Sequence, residues 1–452
     1  MGQAMVDEAP LTLEAMTGFL AAGCKPKTEF RVGAEHEKFL FRTGSYEAIP
    51  YEGPDGVHAL LSGLKRFNWQ DVREGETLIG LERGHANVSL EPGGQFELSG
   101  APLDSVHDIH EETVQHLAEA KAVAEELSIG FLALGHTPTW TRDEVAVMPK
   151  GRYKIMKAYM PKVGGRGLDM MFRTCTVQAN LDFASEADMV KKFRVSLALQ
   201  PIATALFANS PFIEGRPSGL LSSRADVWTD TDPARTGMLD FVFDEGFGFE
   251  AYVQYALDVP MYFAKREGRY VDLSGRSFRR FVDGRLDELP GDRAGMKDWA
   301  DHLTTLFPEV RLKQYLEMRG ADCGPLERLT ALPALWVGIL YDDAALEAAW
   351  ELCKAWTAED RAALRAAAAR TGLKGQVAGR PIQAVAQDLL AIAREGLKAR
   401  GRARDVLADE QPYLTCLDEI AESGITPAER LLELYHGPWR GDVRNVFDAC
   451  AF

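Results

Sequence analysis

Arg31-Val-Gly-Ala-Glu-His-Glu-Lys-Phe-Leu-Phe-Arg42 reads as a β-strand that carries two glutamates two positions apart. Successive side chains on a strand point to opposite faces. Glu35 and Glu37 therefore point one way, and His36 and Lys38 the other. Two carboxylates side by side on one strand face repel each other unless a cation or a basic group sits between them. A single pair of this kind is better explained by a solvated strand face, so the weight of the reading rests on its recurrence.

Three further stretches repeat the pattern. In Ser89-Leu-Glu-Pro-Gly-Gly-Gln-Phe-Glu-Leu-Ser99, Pro92-Gly93-Gly94 is turn chemistry. After it Gln95, Glu97 and Ser99 share one face, and Phe96 and Leu98 share the other. In Thr174-Cys-Thr-Val-Gln-Ala-Asn-Leu-Asp-Phe183 the polar face is Thr174, Thr176, Gln178, Asn180 and Asp182, with Cys175, Val177, Ala179, Leu181 and Phe183 opposite. In Gln314-Tyr-Leu-Glu-Met-Arg-Gly320, Tyr315, Glu317 and Arg319 share a face. The pattern predicts an α+β protein: one antiparallel sheet, helices on its apolar side, and a carboxylate-lined pocket on its polar side. Glutamates converging with a glutamine and an arginine suit Mg²⁺, a hard cation that takes oxygen ligands and shares them with phosphates.

The 452 residues carry a net charge of −16, which argues against a nucleic-acid partner. No apolar run is long enough to cross a membrane, and no basic segment followed by an apolar one marks a secretory leader. Six scattered cysteines form no C-x-x-C motif, which predicts free thiols and a reducing, cytoplasmic location.

Helical patterns are predicted at 11–22, 55–67, 104–127 and 186–208, and strands at 30–42, 77–81, 86–91 and 311–319. Residues 250–264 fit either a helix or a strand. The segment Met148 to Gly167 concentrates Lys150, Arg152, Lys154, Lys157, Lys162 and Arg166 in an acidic chain and ends in three glycines within four residues. Such a loop can hold phosphate through its N–H groups and nearby cations, or it can be a solvated basic helix followed by a flexible loop. The long loop 220–237 carries Arg224 and Arg235, whose forked guanidinium groups suit a carboxylate or, equally, surface ion pairs with Asp226, Asp230 or Asp232. Beyond about 340 the chain turns Ala-, Leu- and Arg-rich and helical. The expected division is a catalytic unit over 11–345 and a helical region over 346–452 packed on it.

The quoted residues, together with Met160-Pro-Lys-Val-Gly164, Asp169-Met-Met-Phe-Arg-Thr174, Val227-Trp-Thr-Asp-Thr-Asp-Pro-Ala-Arg-Thr-Gly237 and Tyr315-Leu-Glu-Met-Arg-Gly-Ala-Asp322, resemble the glutamate–cysteine ligase family in its plant and proteobacterial branch. The resemblance implies the glutamine-synthetase-like carboxylate–amine ligase fold. It also implies ATP- and Mg²⁺-dependent joining of the glutamate γ-carboxylate to the cysteine amine through γ-glutamyl phosphate, the first step of glutathione synthesis. It places metal ligands, for two or three Mg²⁺ ions, at Glu35, Glu37, Glu97, Glu317 and Gln178, with Glu91 beside them. Arg224 and Arg235 match substrate positions, and Arg319 matches one near the γ-phosphate, so Arg319, Glu97 and Glu317 are the expected catalytic groups. Gln178 and Asn180 are expected beside the substrate, and Arg152, Lys162 and Arg166 beside the nucleotide. Plant members have a regulatory disulfide cysteine where this chain has Thr330, so that switch is not expected here. Glutamate, cysteine and ATP are the expected partners of a monomer or homodimer. A same-fold ligase with another acceptor amine, or a metal-dependent hydrolase, would use much the same carboxylates.

Overall fold

The computed structural model describes residues 11–452. The absence of a leader was read partly from residues 1–10, which lie outside the described residues. Nine strands build one sheet: β1 (Val32–Arg42), β2 (Gln70–Glu74), β3 (Thr77–Arg83), β4 (Ala86–Leu90), β5 (Phe96–Ser99), β6 (Ile129–Leu132), β7 (Thr176–Leu181), β8 (Val310–Leu312) and β9 (Leu316–Asp322). Their spatial order is β8-β9-β7-β1-β5-β4-β3-β2. Every pairing is antiparallel, and β6 joins the far half of β1. β1, with Glu35 and Glu37, is thus at the centre of the sheet.

The period-2 alternation explains why one face is covered. Val177, Ala179 and Leu181 of β7, Cys175 just before it, and Phe96 and Leu98 of β5 are at most 1 % exposed. The helices used below are α1 (Val106–Glu126), α2 (Gly151–Tyr159), α3 (Gly167–Arg173), α4 (Glu186–Phe207), α5 (Ser223–Val227), α6 (Leu326–Leu340), α7 (Ala358–Thr371) and α8 (Ile382–Arg400). α6 lies against β7 and β1, and α4 against β9. α1 and α4 start at serine caps, Ser105 and Ser185, whose hydroxyls accept the N–H of Asp108 and Asp188. His36 and Lys38 do face the helix side, and both are buried there. Lys38 Nζ sits 2.8 Å from His36 Nδ1, and burial pushes its pKa down to about 8.

Several local readings change. The strand expected at 311–319 is a tight hairpin, with Lys313 N–H donating to Tyr315 O at 2.9 Å. This sets Arg311 opposite Glu317. Residues 250–264 divide into a helix, Phe249–Asp258, and the first strand of a separate ribbon, Phe263–Arg266. The loop 220–237 contains α5, capped by Ser222. β2 was not expected, because its residues Gln70-Asp-Val-Arg-Glu74 are largely polar and form the sheet's outer edge.

The helical segment after 345 shares one continuous core with the sheet. α7 packs on α4 and α8 on α6, and Phe452 N–H donates to Phe131 O of β6 at 3.0 Å. Among the described residues no single helix is long and apolar enough to cross a membrane. The α6–α8 crossing needs glycine. A Cβ on Gly396 would lie 1.8 Å from Gly338 O, and one on Gly338 would lie 2.3 Å from Ala393 O. Gly396→Val is therefore expected to destabilise the protein by about 1–3 kcal/mol through overpacking. Denaturant unfolding followed by circular dichroism checks this; a loss below about 0.5 kcal/mol, the range of a neutral surface change, would mean that α8 is not docked this way.

Candidate active site

Strand register assembles the polar face. Glu37 stands opposite Glu97, and Glu97 opposite Ser89. Glu35 stands between Gln178 and Ser99, and Glu317 opposite Asn180. The turn after β4 brings Glu91 to the same place. Glu91 N–H donates to Gln95 O and Gly94 N–H to Glu91 O, both at 2.9 Å, with Gly94 at φ +81°. The Gln95 side chain braces this turn, accepting Gly93 N–H at 2.8 Å and donating to Thr174 O at 2.9 Å. Glu37 accepts Thr176 N–H at 3.0 Å and Glu97 accepts Ser89 Oγ–H at 2.8 Å. Asn180 Nδ2 donates to Glu35 at 2.7 Å.

The carboxylates fall into two electrostatic classes. Burial, then Glu317 and Glu97, push the Glu35 pKa up to about 7. Burial, then Glu97 and Glu91, push Glu37 well up, and burial and Glu91 raise Glu97. Glu317 behaves oppositely. Burial disfavours its charge, but Arg311, Lys313 and Arg319 outweigh burial and hold it well below the usual carboxylate range. Arg311 grips both Glu317 oxygens at 2.6 and 2.8 Å, and Arg319 Nη1 lies 2.6 Å from one of them. Arg319 also donates to Gln178. Sequence reading missed Arg311 and Lys313, because a single strand over 311–319 hid the hairpin that turns them toward Glu317.

Arg224 enters from α5, 3 % exposed, with Nη2 donating to Arg319 O at 2.8 Å. Asp322 fixes this approach by accepting Asn209 N–H, Ser210 Oγ–H and Ser222 Oγ–H at 2.7–2.8 Å. Ser210 Oγ in turn accepts Arg224 N–H at 3.2 Å. Glu37, Glu91, Arg224, Arg319, Trp228 and Phe307 line one narrow cavity of about 70 Å³.

Other expected residues lie elsewhere. Arg235 is fully buried and committed to Asp232 at 2.6 Å, Thr305 O and Pro260 O, over the Tyr262 ring at 3.8 Å. It anchors the loop and does not face the carboxylates. Arg166 pairs with Asp226, and the N–H groups of Gly165 and Arg166 donate to Asp230. The glycine loop thus spends these donors internally instead of offering them to a phosphate. Lys162 is exposed. Arg152 and Lys150, at the start of α2, lie within electrostatic reach of Glu91.

Among the described residues, no three acidic, histidine or cysteine side chains are already drawn together as a metal cage. Mg²⁺ does not demand one, because it keeps waters and substrate phosphates and takes one or two carboxylates. The donor set fits it. Glu37 and Glu97 are like charges directly opposite each other, all donors are oxygens, and Glu317 is oriented by Arg311 while its Oε2, hydrogen-bonded by Arg311 Nε alone, keeps a second lone pair.

The profile of "Glutamate-cysteine ligase family 2 (GCS2)" matches residues 31–449. The chain is 55% identical over 446 residues to the chloroplastic glutamate–cysteine ligase of Nicotiana tabacum, covering 98% of this chain and 84% of that protein. It is 55% identical over 447 residues to the Arabidopsis thaliana chloroplastic enzyme, covering 99% and 84%. A solved glutamate–cysteine ligase of Francisella tularensis in complex with AMP superposes with a TM-score of 0.55 at 14% identity, over 93% of this chain and 87% of that one, which supports the ligase fold. The cytoplasmic expectation is overturned by these relatives, which are named as chloroplastic. Free cysteines report reducing surroundings, and they do not distinguish one reducing compartment from another. Motif, register and profile agree over nearly the whole chain: it belongs to the family 2 glutamate–cysteine ligases.

Proposed function

We propose that this site joins the γ-carboxylate of glutamate to the amine of cysteine with hydrolysis of ATP to ADP and phosphate. The observation that carries the reading is the set of mutually repelling glutamates, Glu35, Glu37 and Glu97, on neighbouring strands, with Glu37 and Glu91 lining one cavity together with Arg224 and Arg319. A carboxylate is a poor electrophile, and phosphorylation by ATP converts it to an acyl phosphate that an amine can attack. Glu35, Glu37, Glu97 and Glu317, with Gln178 and Glu91 beside them, would hold Mg²⁺. Bound there, it would supply charge neutralisation for the triphosphate and for the phosphoryl group in transfer.

The chain's own residues do the rest. Arg319, held by Glu317 and Gln178, presents a fixed positive charge to the transferring phosphoryl group. Arg224 offers its fork to a substrate carboxylate, and Asn180 holds Glu35 in place. Arg152 and Lys150 supply positive charge on the Glu91 side for the nucleotide phosphates. Arg235 is assigned to the scaffold. The proton from the attacking amine goes to a phosphate oxygen or to a site carboxylate. The catalytic unit is taken as residues 11–345 with the helices of 346–452 completing its core. The AMP complex of the Francisella relative is consistent with nucleotide use in this fold.

Phosphate release from ATP is expected to require glutamate and to rise sharply with cysteine. Release that rises instead with another amine would keep the acyl phosphate and change the acceptor. Release without glutamate dependence would sink the ligase reading. Glu97→Gln is expected to lower kcat by at least about 10²-fold, the scale of losing a transition-state charge contact, with the far-UV circular dichroism unchanged; near-normal kcat at saturating Mg²⁺ would remove Glu97 from the metal site. Arg224→Lys replaces a fork by a point charge, so the KM for glutamate should rise more than that for ATP. Equal changes would take Arg224 out of glutamate binding.

A further inference from the structure

The C-terminal helix α7 reaches the cleft at three points. Its Ala369 carbonyl accepts Leu221 N–H at 2.9 Å and Ser222 N–H at 3.1 Å, immediately before α5. Its Arg365 donates to Trp228 O at 3.3 Å, immediately after α5. Both ends of the short helix that carries Arg224 are therefore held by α7. The same guanidinium meets Glu309, with Nε and Nη2 both 2.9 Å from Oε1.

Glu309 is itself tied to the residues around the two site arginines. Its N–H donates to Gly237 O at 3.0 Å, and its carbonyl accepts Arg319 N–H at 3.0 Å. With Arg224, Trp228, Phe307 and Arg319 it lines a small cavity of about 10 Å³, and these four residues also border the cavity that holds Glu37 and Glu91. The Trp228 and Phe307 rings meet edge-on at 6.1 Å. One guanidinium thus ties the backbone after Arg224 to the residue whose carbonyl seats Arg319.

We propose that Arg365, on α7 and outside the strand motifs, is a positioning residue for the amino-acid substrates. It acts by fixing Trp228 and Glu309 relative to the Arg224–Arg319 pair. The inference rests on the ligase reading of this cleft. An arginine is suited to the task because its planar fork serves two acceptors at once, whereas a lysine offers one compact charge. Small displacements of substrate-holding groups weaken binding and orientation without abolishing the chemistry.

The test is steady-state kinetics on the full chain with glutamate, cysteine and ATP varied in turn. Arg365→Met is expected to raise the KM for glutamate or cysteine by roughly fivefold or more while kcat and the KM for ATP stay within about twofold. Arg365→Lys should fall between wild type and Arg365→Met. Arg361→Met is the control on the same helix. Arg361 packs over Phe243 at 3.6 Å and donates to Trp356 O at 2.8 Å, so its loss should lower the melting temperature and leave the amino-acid KM values alone. Unchanged KM values in both Arg365 variants, with only a lower melting temperature, would overturn the proposal and make Arg365 a structural contact. A wild-type chain without glutamate-dependent turnover would instead sink the ligase reading itself. If Arg365→Met does not fold, Arg365→Lys decides, and wild-type KM values in it overturn the proposal.

Discussion

Like-charge repulsion on the open face of the sheet is the constraint that the rest of the structure answers to. β5, β1 and β7 are neighbours, and their register puts Glu97 opposite Glu37 and Glu35 next to Gln178. Two ionised carboxylates about 5 Å apart cost ~3 kcal/mol at an effective dielectric of 20. That is a large fraction of the ~5–15 kcal/mol by which a domain is stable. The protein meets the cost in two ways: the raised proton affinities of Glu35, Glu37 and Glu97, and the ring of Arg311, Lys313 and Arg319 around Glu317.

A sheet can carry such a face only if its other face is rigidly buried. Cys175, Val177, Ala179 and Leu181 alternate with the site residues of β7 and are covered by α6, which is in turn clamped by α8 through the Gly338–Gly396 approach. The chain end closes on β6 through Phe452, and Phe447 stacks on Tyr46 with ring centroids 4.9 Å apart. The C-terminal helices are thus part of what holds the carboxylates at fixed spacing. Through Ala369 and Arg365 they also hold the segment bearing Arg224.

The sheet, its polar face and the positions of Glu35, Glu37, Glu97, Gln178 and Asn180 were legible because strand alternation has a fixed period and each strand carries its own signature. That Arg224 belongs to a helix was not legible, since α5 is only five residues long. Arg235 and Arg166 were misread for a common reason. A forked side chain in an Asp-rich loop looks alike in sequence whether it meets a substrate or the loop's own carboxylates, and here each meets an aspartate. The glycine loop misled likewise, because close packing against Asp230 and Thr231 demands small residues just as a phosphate would. Arg311, Lys313 and Asp322 could be assigned only from long-range geometry: a hairpin register, and a network joining residues 209–222 to 322.

The central claim is that the face holds carboxylates whose protons a divalent cation must displace. Calorimetric titration of Mg²⁺ into the protein with a non-hydrolysable ATP analogue, repeated in buffers of different ionisation heat, counts the protons released. Glu35 has a folded pKa of about 7, above its unfolded value of ~4.3. It is therefore mainly protonated at pH 6 and mainly ionised at pH 8.5. Proton release on Mg²⁺ binding should be clear at pH 6, shrink toward pH 8.5, and fall in Glu35→Gln. Mg²⁺ binding with no proton release at pH 6, or with release unchanged in Glu35→Gln, would contradict the account.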